Sequence, residues 1–228
     1  MCMIRVFIGY DDNETIAYHV LTHSILRHAT QPVAITPLAK SHMQSFYSRE
    51  RSALESTDFS FTRFLVPYLS NYSGWSLFMD CDMLMTGDVA ELWSLRDETR
   101  AVMCVKHDYE ARDEVKFLGA VQTKYEKKNW SSVMIFNNER CKALTPEVVA
   151  NQTGLFLHQF KWLGDDSLIG DLPTTWNFLV GEMAMPGIPK LIHYTLGGPY
   201  FESYRHCEHA DLWYLERDLM MHAADDGK

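Results

Sequence analysis

The sequence predicts an α/β fold in which helices cover the faces of a central sheet. Short β-rich runs alternate with helical patterns along the chain, and three of these runs are apolar enough to be buried on both faces. The 228 residues are 46% hydrophobic, which is enough to bury one core, and no repeat or Pro/Gly-rich linker divides them. We therefore expect a single domain over residues 1–228.

The first two elements show the alternation most clearly. "IRVFIG" (4–9) is a β-rich run, and the segment 11–29 that follows has apolar residues at helical spacing. Asp11 and Glu14 resemble a capping box at the start of this helix, with Asp in the place of Ser or Thr. The sequence thus predicts a strand followed by a helix.

The later elements continue the pattern. "PVAITPL" (32–38) is expected to be a second strand, and the segment 56–72 a helix that Pro67 kinks or shortens. The apolar stripe of that helix is Phe61, Phe64, Leu65, Tyr68 and Leu69. The three buried strands are expected at "WSLFM" (75–79), "AVMCV" (101–105) and "WSSVMIFN" (130–137).

Charge and cysteine usage narrow the class of protein. The formal charge of -9 argues against a nucleic-acid binder, which would need clustered Lys and Arg to neutralise phosphates. The five cysteines are widely spread and form no CxxC pair, a pattern that favours a reducing compartment over a disulfide framework. We expect no signal peptide and no transmembrane segment, and hence a cytoplasmic protein.

The stretch "WSLFMDCDMLMTGDV" (75–89) carries the clearest chemical signal. Asp80 and Asp82 stand one residue apart at the end of a buried strand, which is where α/β sheets collect their ligands. Such a pair can share a divalent cation, and carboxylate oxygens favour Mg²⁺, Mn²⁺ or Ca²⁺. A solvated turn is the alternative interpretation of the same residues.

Several classes of protein fit this pattern. In a haloacid dehalogenase-like phosphatase Asp80 would be the nucleophile, with Lys161 and "GDDSLIGD" (164–171) as later partners. The roughly eighty residues before the pair count against that family, whose acidic pair follows its first strand. A sugar nucleotidyltransferase would need a Gly-rich, Arg-containing loop that "VFIGYDDNET" lacks. A non-catalytic domain that binds a nucleotide-sugar or glycan is a further alternative.

Six segments between about residues 4 and 200 add a family resemblance. They are "VFIGYDDN", "FTRFLVPYL", "LFMDCDMLMTGDVAELW", "WSSVMIFN", "LGDDSLIGDLPTTWNF" and "PKLIHYTLGGPYF". In this order they resemble glycosyltransferase family 8, a GT-A group that includes glycogenin and bacterial galactosyltransferases. The resemblance implies a Rossmann-like GT-A fold with a mixed, mostly parallel sheet. It also implies a nucleotide-binding half at about 1–110, an acceptor-side half at about 111–222 and a frayed tail at 223–228.

The resemblance further implies a hexosyltransferase that uses a nucleotide-sugar, of the UDP-sugar type, and retains anomeric configuration. Asp80, Asp82 and His193 would hold Mn²⁺ or Mg²⁺, and Asp80 would also touch the ribose. Arg63, on the side of its predicted helix away from the apolar stripe, would contact donor phosphate or sugar. As an isolated feature, each of these side chains has a simpler explanation as a surface or packed residue.

Two glycines and a polar loop complete the donor site that the resemblance implies. Asp11 and Asn13 would bind base and ribose, although both also suit a helix cap. Gly197 and Gly198 would let the backbone approach the diphosphate, and they equally suit an ordinary turn.

A second pair of acidic residues, Asp165 and Asp166, is the candidate for catalysis. The resemblance places Asp166 near the anomeric carbon and Asp165 where the family often has Gln; a loop or helix cap is the alternative. The Lys that usually follows the metal-binding His is missing, so Arg205 or Lys190 would replace it. The acceptor, whether a glycan, a lipid-linked sugar or another molecule, is undefined, and only the aromatic segment 200–218 points to its site.

Overall fold

The structure is a computed structural model that describes residues 3–50, 55, 57–108 and 126–222. The predicted tail 223–228 and the start of the predicted acceptor-side half, 111–125, lie outside these residues. The strands are β1 (Ile4–Tyr10), β2 (Val33–Ala39), β3 (Trp75–Met79), β4 (Met83–Met85), β5 (Val102–Cys104), β6 (Val133–Asn137), β7 (Ile169–Asp171), β8 (Phe178–Leu179) and β9 (Leu191–His193). The helices are α1 (Thr15–His28), α2 (Val66–Leu69), α3 (Val89–Ser94), α4 (Pro146–Asn151), α5 (Gly154–His158) and α6 (Ala210–His222).

The central sheet has the order β2-β1-β3-β6-β5-β7 and is mixed but mostly parallel. The strand β6 runs antiparallel to both of its neighbours, and the other pairs are parallel. The fold class predicted from the sequence is therefore confirmed. Because Ile8 of β1 pairs with Met79 of the parallel β3, Asp11 and Asp80 follow their strands at the same edge of the sheet.

A second, three-stranded sheet with the order β4-β9-β8 completes the fold. Its strands are only two or three residues long, too short for a periodic pattern, and only the strand that ends at His193 was implied by the family resemblance. Met83 pairs with His193, and the backbone N–H of Tyr194 donates to the carbonyl of Asp82 at 2.9 Å. This small sheet is what carries His193 to the acidic pair.

The helix predicted over 56–72 is largely replaced by other structure. A 3₁₀ turn, Thr62–Leu65, leads into the four-residue α2, and Pro67 lies in the first turn of α2, where its missing N–H costs nothing. Tyr68 is 37% exposed, so the predicted apolar stripe is only partly buried. Arg63, expected on the outer side, is buried instead.

The capping box predicted at the start of α1 forms only in part. The Asp11 side chain caps a 3₁₀ turn, Asp12–Glu14, by accepting from the Asn13 backbone N–H. The Glu14 side chain does not return to the cap; it is buried and accepts a hydrogen bond from the Tyr200 hydroxyl at 2.6 Å.

Helix α6 was not predicted from the sequence, and an ion pair on the buried carboxylate of Glu216 fixes it against α1. Glu216, 3% exposed, accepts from Arg27 Nε at 3.0 Å and lies 2.6 Å from His23 Nδ1. The apolar residues between α6, α1 and the small sheet form a second core around Trp213. The C-terminal segment is thereby held beside the carboxyl edge of the main sheet.

The stability of the fold is expected to fall in mild acid because of His158. Its ring packs against Phe61 and Phe64, and burial lowers its pKa from 6.5 to about 3. The unfolded chain gains a proton below about pH 6.5 and the folded chain does not, so stability declines from pH 6.5 toward pH 3, by up to about 1.4 kcal/mol per pH unit. Urea unfolding of His158→Asn should give a shallower decline over this range; an unchanged slope would contradict the assignment.

Candidate active site

Three potential metal ligands meet at the carboxyl edge of the main sheet. One ligand atom from each of Asp80, Asp82 and His193 lies within 4.8 Å of the others, and the residues are 8%, 8% and 2% exposed. His193 Nε2 is 3.4 Å from Asp82 Oδ1. The backbone N–H of Asp80 donates to the carbonyl of Ser132 in the turn before β6, which fixes the acidic turn against the sheet. The structure thus brings together the three side chains that the resemblance implied.

Asn177, which sequence analysis noted only as part of a motif, orients the histidine. Its Nδ2 donates to Ser132 Oγ at 2.8 Å and to the Asn129 carbonyl at 3.2 Å, so its Oδ1 faces His193. His193 Nδ1–H donates to that oxygen at 2.9 Å, which leaves the Nε2 lone pair directed toward Asp82. A hydrogen-bond acceptor for the other ring nitrogen is typical of metal-binding histidines.

Removing the Asn177 amide is expected to weaken metal binding more than it weakens the fold. Asn177→Ala should lower Mn²⁺ affinity about 10- to 100-fold, because the His193 ring loses its fixed tautomer and orientation. The matched control is Asn138→Ala, since Asn138 is equally buried but bonds to Ser73 and Ser76. Calorimetric Mn²⁺ titration of both variants checks this. Equal losses of affinity would mean that Asn177 only supports the fold.

Arg63 places a positive charge next to Asp80. It is 6% exposed, and its Nη1 lies 2.9 Å from Asp80 Oδ1. The same guanidinium donates to the carbonyl of Ser131 at 2.9 Å and to that of Phe59 at 3.3 Å. Arg63 therefore holds Asp80 in place, and the contact with donor that the resemblance implied stays a prediction.

Asp11 and Asn13 are joined to each other and to a neighbouring loop. Asp11 Oδ1 accepts from the backbone N–H and the side-chain amide of Asn13, both at 2.9 Å, and Asp11 Oδ2 accepts from the Asp58 N–H at 2.9 Å. The cap interpretation of Asp11 is confirmed by these bonds. The role of the loop in binding base and ribose stays a prediction.

Glu14 is a buried acid at the site that sequence analysis considered only as a cap. It is 1% exposed, and Cys81 Sγ lies 3.8 Å from its Oε2. Burial and then the charge of Asp82 raise the pKa of Glu14 to about 8. The carboxyl therefore keeps its proton at neutral pH and avoids adding a further negative charge beside Asp82.

The two glycines after β9 have structural roles of their own. Gly197 has φ 142°, in the region that favours glycine, and its N–H donates to the Tyr194 carbonyl at 2.8 Å. A Cβ atom at Gly198 would clash with the ring of Tyr200. The turn interpretation is supported, and approach of this backbone to a diphosphate stays a prediction.

The second predicted pair of acidic residues, Asp165 and Asp166, lies outside the cluster of Asp80, Asp82 and His193. Asp165 caps a 3₁₀ turn through bonds from the Ser167 N–H at 2.8 Å and Oγ at 2.7 Å, and these bonds lower its pKa. Asp166 is exposed and pairs with Lys127 Nζ at 2.5 Å. The cap interpretation therefore holds for Asp165, whereas the catalytic role of Asp166 stays a prediction.

The two cations considered as replacements for the missing Lys occupy different places. Lys190 precedes β9, at the opposite end from His193, and pairs with Glu91. Arg205 follows β9 and pairs with Glu202 at 2.7 Å. Only Arg205 lies on the C-terminal side of His193, where that cation was expected.

The fold and this site define the chain as a protein with the GT-A glycosyltransferase fold. It aligns with the bifunctional glycosyltransferase WbbM (TM-score 0.66, 16% identity, 96% of this chain and 50% of that one). It also aligns with GlyE of Streptococcus pneumoniae TIGR4 (0.63, 13%, 95% and 60%) and with the galactosyltransferase LgtC (0.56, 12%, 94% and 95%). The chain thus spans half to three fifths of WbbM and GlyE.

Sequence comparison identifies a family. The chain is 48% identical over 223 residues to Protein CDI of Arabidopsis thaliana, covering 94% of this chain and 86% of that protein. It belongs to the same family as Protein CDI. No family model matches the sequence. None of the helices in the described part of the chain has the length and apolarity needed to span a bilayer.

Proposed function

We propose that the chain is a metal-dependent glycosyltransferase that moves a sugar from a nucleotide-sugar, of the UDP-sugar type, to an acceptor with retention of configuration. The observation that carries this proposal is the buried cluster of Asp80, Asp82 and His193 at the carboxyl edge of a GT-A fold. The order of the six sequence segments supports a placement near glycosyltransferase family 8.

The donor set fits a divalent cation. Two carboxylates and one neutral imidazole form a mixed oxygen and nitrogen site that suits Mn²⁺ and also accepts Mg²⁺. Bound there, the cation would stabilise the negative charge that grows on a departing nucleoside diphosphate. The chain would contribute by holding the ligands in place: Arg63 orients Asp80, and Asn177 orients His193.

The proposal also assigns a role to each of the two predicted halves of the chain. The half at about 1–110 contributes β1 and β3, whose loops carry Asp11, Asn13 and the acidic pair, and we assign it to the donor nucleotide. The half at about 111–222 contributes His193, Gly197 and Gly198 and the segment through α6, and we assign it to the diphosphate and the acceptor.

A reducing, cytoplasmic environment fits the cysteines. Cys81, Cys104, Cys141 and Cys207 are free thiols, and the first three are buried. Burial raises the pKa of Cys81, Cys104 and Cys141, which keeps them as unreactive thiols. Their state supports the proposal of a cytoplasmic enzyme.

Asp166 is proposed to act in turnover rather than in donor binding. Asp166→Ala should leave Mn²⁺-dependent donor affinity unchanged and lower the transfer rate by at least about 100-fold, the scale of positioned acid or base groups. The matched control is Asp171→Ala, because Asp171 is equally exposed and also pairs with a lysine, Lys106. A full-rate Asp166→Ala variant would remove this residue from the catalytic set.

The proposal is tested first by thermal unfolding against UDP-, GDP-, CMP- and ADP-sugars with and without Mn²⁺. A ligand that binds the native state raises the melting temperature, so one donor should raise it and should need the metal to do so. That result would also identify the base. If no donor shifts the melting temperature with Mn²⁺ present, the proposed donor site is wrong.

A further inference from the structure

A pocket of about 400 Å³ lies between the start of α1 and the side of α6. Three parts of the chain line it: the first turn of α1 at Ile16, the loop after β9 at Pro199, and the segment that leads into and through α6. The remaining lining residues are three aromatic side chains and two arginines. We call it the arginine-aromatic pocket.

The aromatic walls are Tyr200, Trp213 and Tyr214. The ring of Trp213 lies 5.6 Å, between centroids, from each of the two tyrosine rings. The Tyr214 hydroxyl donates to the Pro199 carbonyl at 2.9 Å, and the Tyr200 hydroxyl donates to Glu14. These bonds join distant parts of the chain, so the pocket is formed before any ligand arrives and little ordering cost remains for binding.

Among the described residues, the charged groups that line the pocket are Arg205 and Arg217, and no acidic side chain lines it. Two guanidinium groups thus line one pocket of a chain whose formal charge is -9. Arg205 pairs with Glu202 at 2.7 Å and Arg217 with Asp218 at 2.6 Å. Both carboxylates are more than half exposed, and exposed ion pairs are weak, so a ligand anion can replace them.

We propose that the arginine-aromatic pocket binds an acidic sugar, meaning a pyranose ring that carries a carboxylate or a phosphate. Guanidinium groups match the geometry of these anions, and the partly exposed rings of Tyr200 and Tyr214 can cover the apolar side of a sugar ring, whereas Trp213 is 1% exposed and supports them from behind. The volume suits a small ligand of this size. The choice of a sugar rests on the proposed function, whereas the choice of an anion rests on Arg205 and Arg217 alone.

The position of the pocket gives this ligand a place in the reaction. Tyr200 forms one wall, and its hydroxyl bonds to Glu14, which lies beside Cys81 and near Asp82. The pocket and the candidate metal site are thus connected through Tyr200 and Glu14. We assign the acidic sugar to the acceptor, either as a uronic acid residue or as a sugar phosphate.

The test is calorimetric titration of the full chain with glucuronic acid, glucose 6-phosphate, glucose and inorganic phosphate, without metal or nucleotide-sugar. At least one of the two acidic sugars should bind about tenfold more tightly than glucose and than phosphate, the scale of one charge-assisted hydrogen bond. Tighter binding of glucuronic acid would indicate a carboxylated acceptor, and tighter binding of glucose 6-phosphate would indicate a phosphorylated one. Equal binding of glucose or of phosphate, or no binding of either acid, would overturn the proposal.

Two variants and a control locate the binding. Arg205→Gln and Arg217→Gln should each weaken the acidic sugar about tenfold, whereas Arg140→Gln, at an exposed arginine outside the pocket, should not. A loss as large in Arg140→Gln would overturn the assignment. Because metal and donor are absent from these titrations, failure here leaves Mn²⁺-dependent donor binding intact, and failure of the donor site leaves these titrations unchanged.

Discussion

The Arg63→Met variant is expected to lose about 3–5 kcal/mol of unfolding free energy in metal-free buffer, the usual cost of leaving a buried charge without its partner. Asp80 is 8% exposed and lies 2.9 Å from Arg63 Nη1, and the Asp82 carboxylate belongs to the same cluster. Methionine fills the space of the arginine stem but cannot offset this negative charge. Urea unfolding with a chelator present measures the loss.

The same variant separates a metal site from a merely acidic cluster. Without the guanidinium, a cation has more uncompensated charge to neutralise, so Mn²⁺ should stabilise Arg63→Met more than it stabilises the unchanged protein. Arg140→Met, at an exposed arginine, serves as the control and should change stability by less than about 0.5 kcal/mol. A destabilised Arg63→Met protein that Mn²⁺ fails to rescue would contradict the proposed metal site.

Loss of a metal ligand should have the largest effect on binding. Asp82→Asn and His193→Ala are each expected to lower Mn²⁺ affinity by more than about 100-fold, because changing a residue that only hydrogen-bonds to a metal ligand already costs about 10- to 100-fold. Metal-dependent binding of the nucleotide-sugar should be lost with it. Calorimetric titration of Mn²⁺, followed by the donor in the presence of Mn²⁺, measures both effects.

Stability in the absence of metal shows whether Asp82→Asn is otherwise intact. Asp80 and Asp82 are two carboxylates in one cluster, so the neutral amide in Asp82→Asn should relieve their repulsion and leave the metal-free fold at least as stable. Asp171→Asn, at the carboxyl end of β7 but outside the cluster, should keep full Mn²⁺ affinity. Unchanged Mn²⁺ affinity in Asp82→Asn would remove this residue from the ligand set.

The main sheet and its functional edge could be predicted from the sequence. β3, β5 and β6 lie in the three largely apolar runs 75–79, 101–105 and 130–137, and such runs indicate strands buried on both faces. Asp80 and Asp82 interrupt that pattern at a strand end, which marks the edge where ligands collect. The resemblance to a known family then brought His193 into the set, because nothing local distinguishes it from a packed histidine.

Other features depend on contacts between parts of the chain that are far apart. Asn177 and His193 belong to different strand ends and meet only because β8 pairs with β9. Glu14 has the sequence position of a helix cap. In the structure its side chain is instead buried and accepts a hydrogen bond from Tyr200, which is 186 residues further along the chain. Arg63 was misplaced because a regular helix was assumed where a 3₁₀ turn forms, and the two geometries direct side chains differently.

Release of nucleoside diphosphate from the donor that binds tests the central claim most directly. The protein, Mn²⁺ and that nucleotide-sugar should yield free nucleoside diphosphate by transfer or slow hydrolysis, and Asp82→Asn should yield none. Such a result would show that glycosyl transfer requires the cluster of Asp80, Asp82 and His193. Absence of release with every donor, together with Mg²⁺-dependent cleavage of a phosphate monoester, would contradict the account and make Asp80 the nucleophile of a phosphatase.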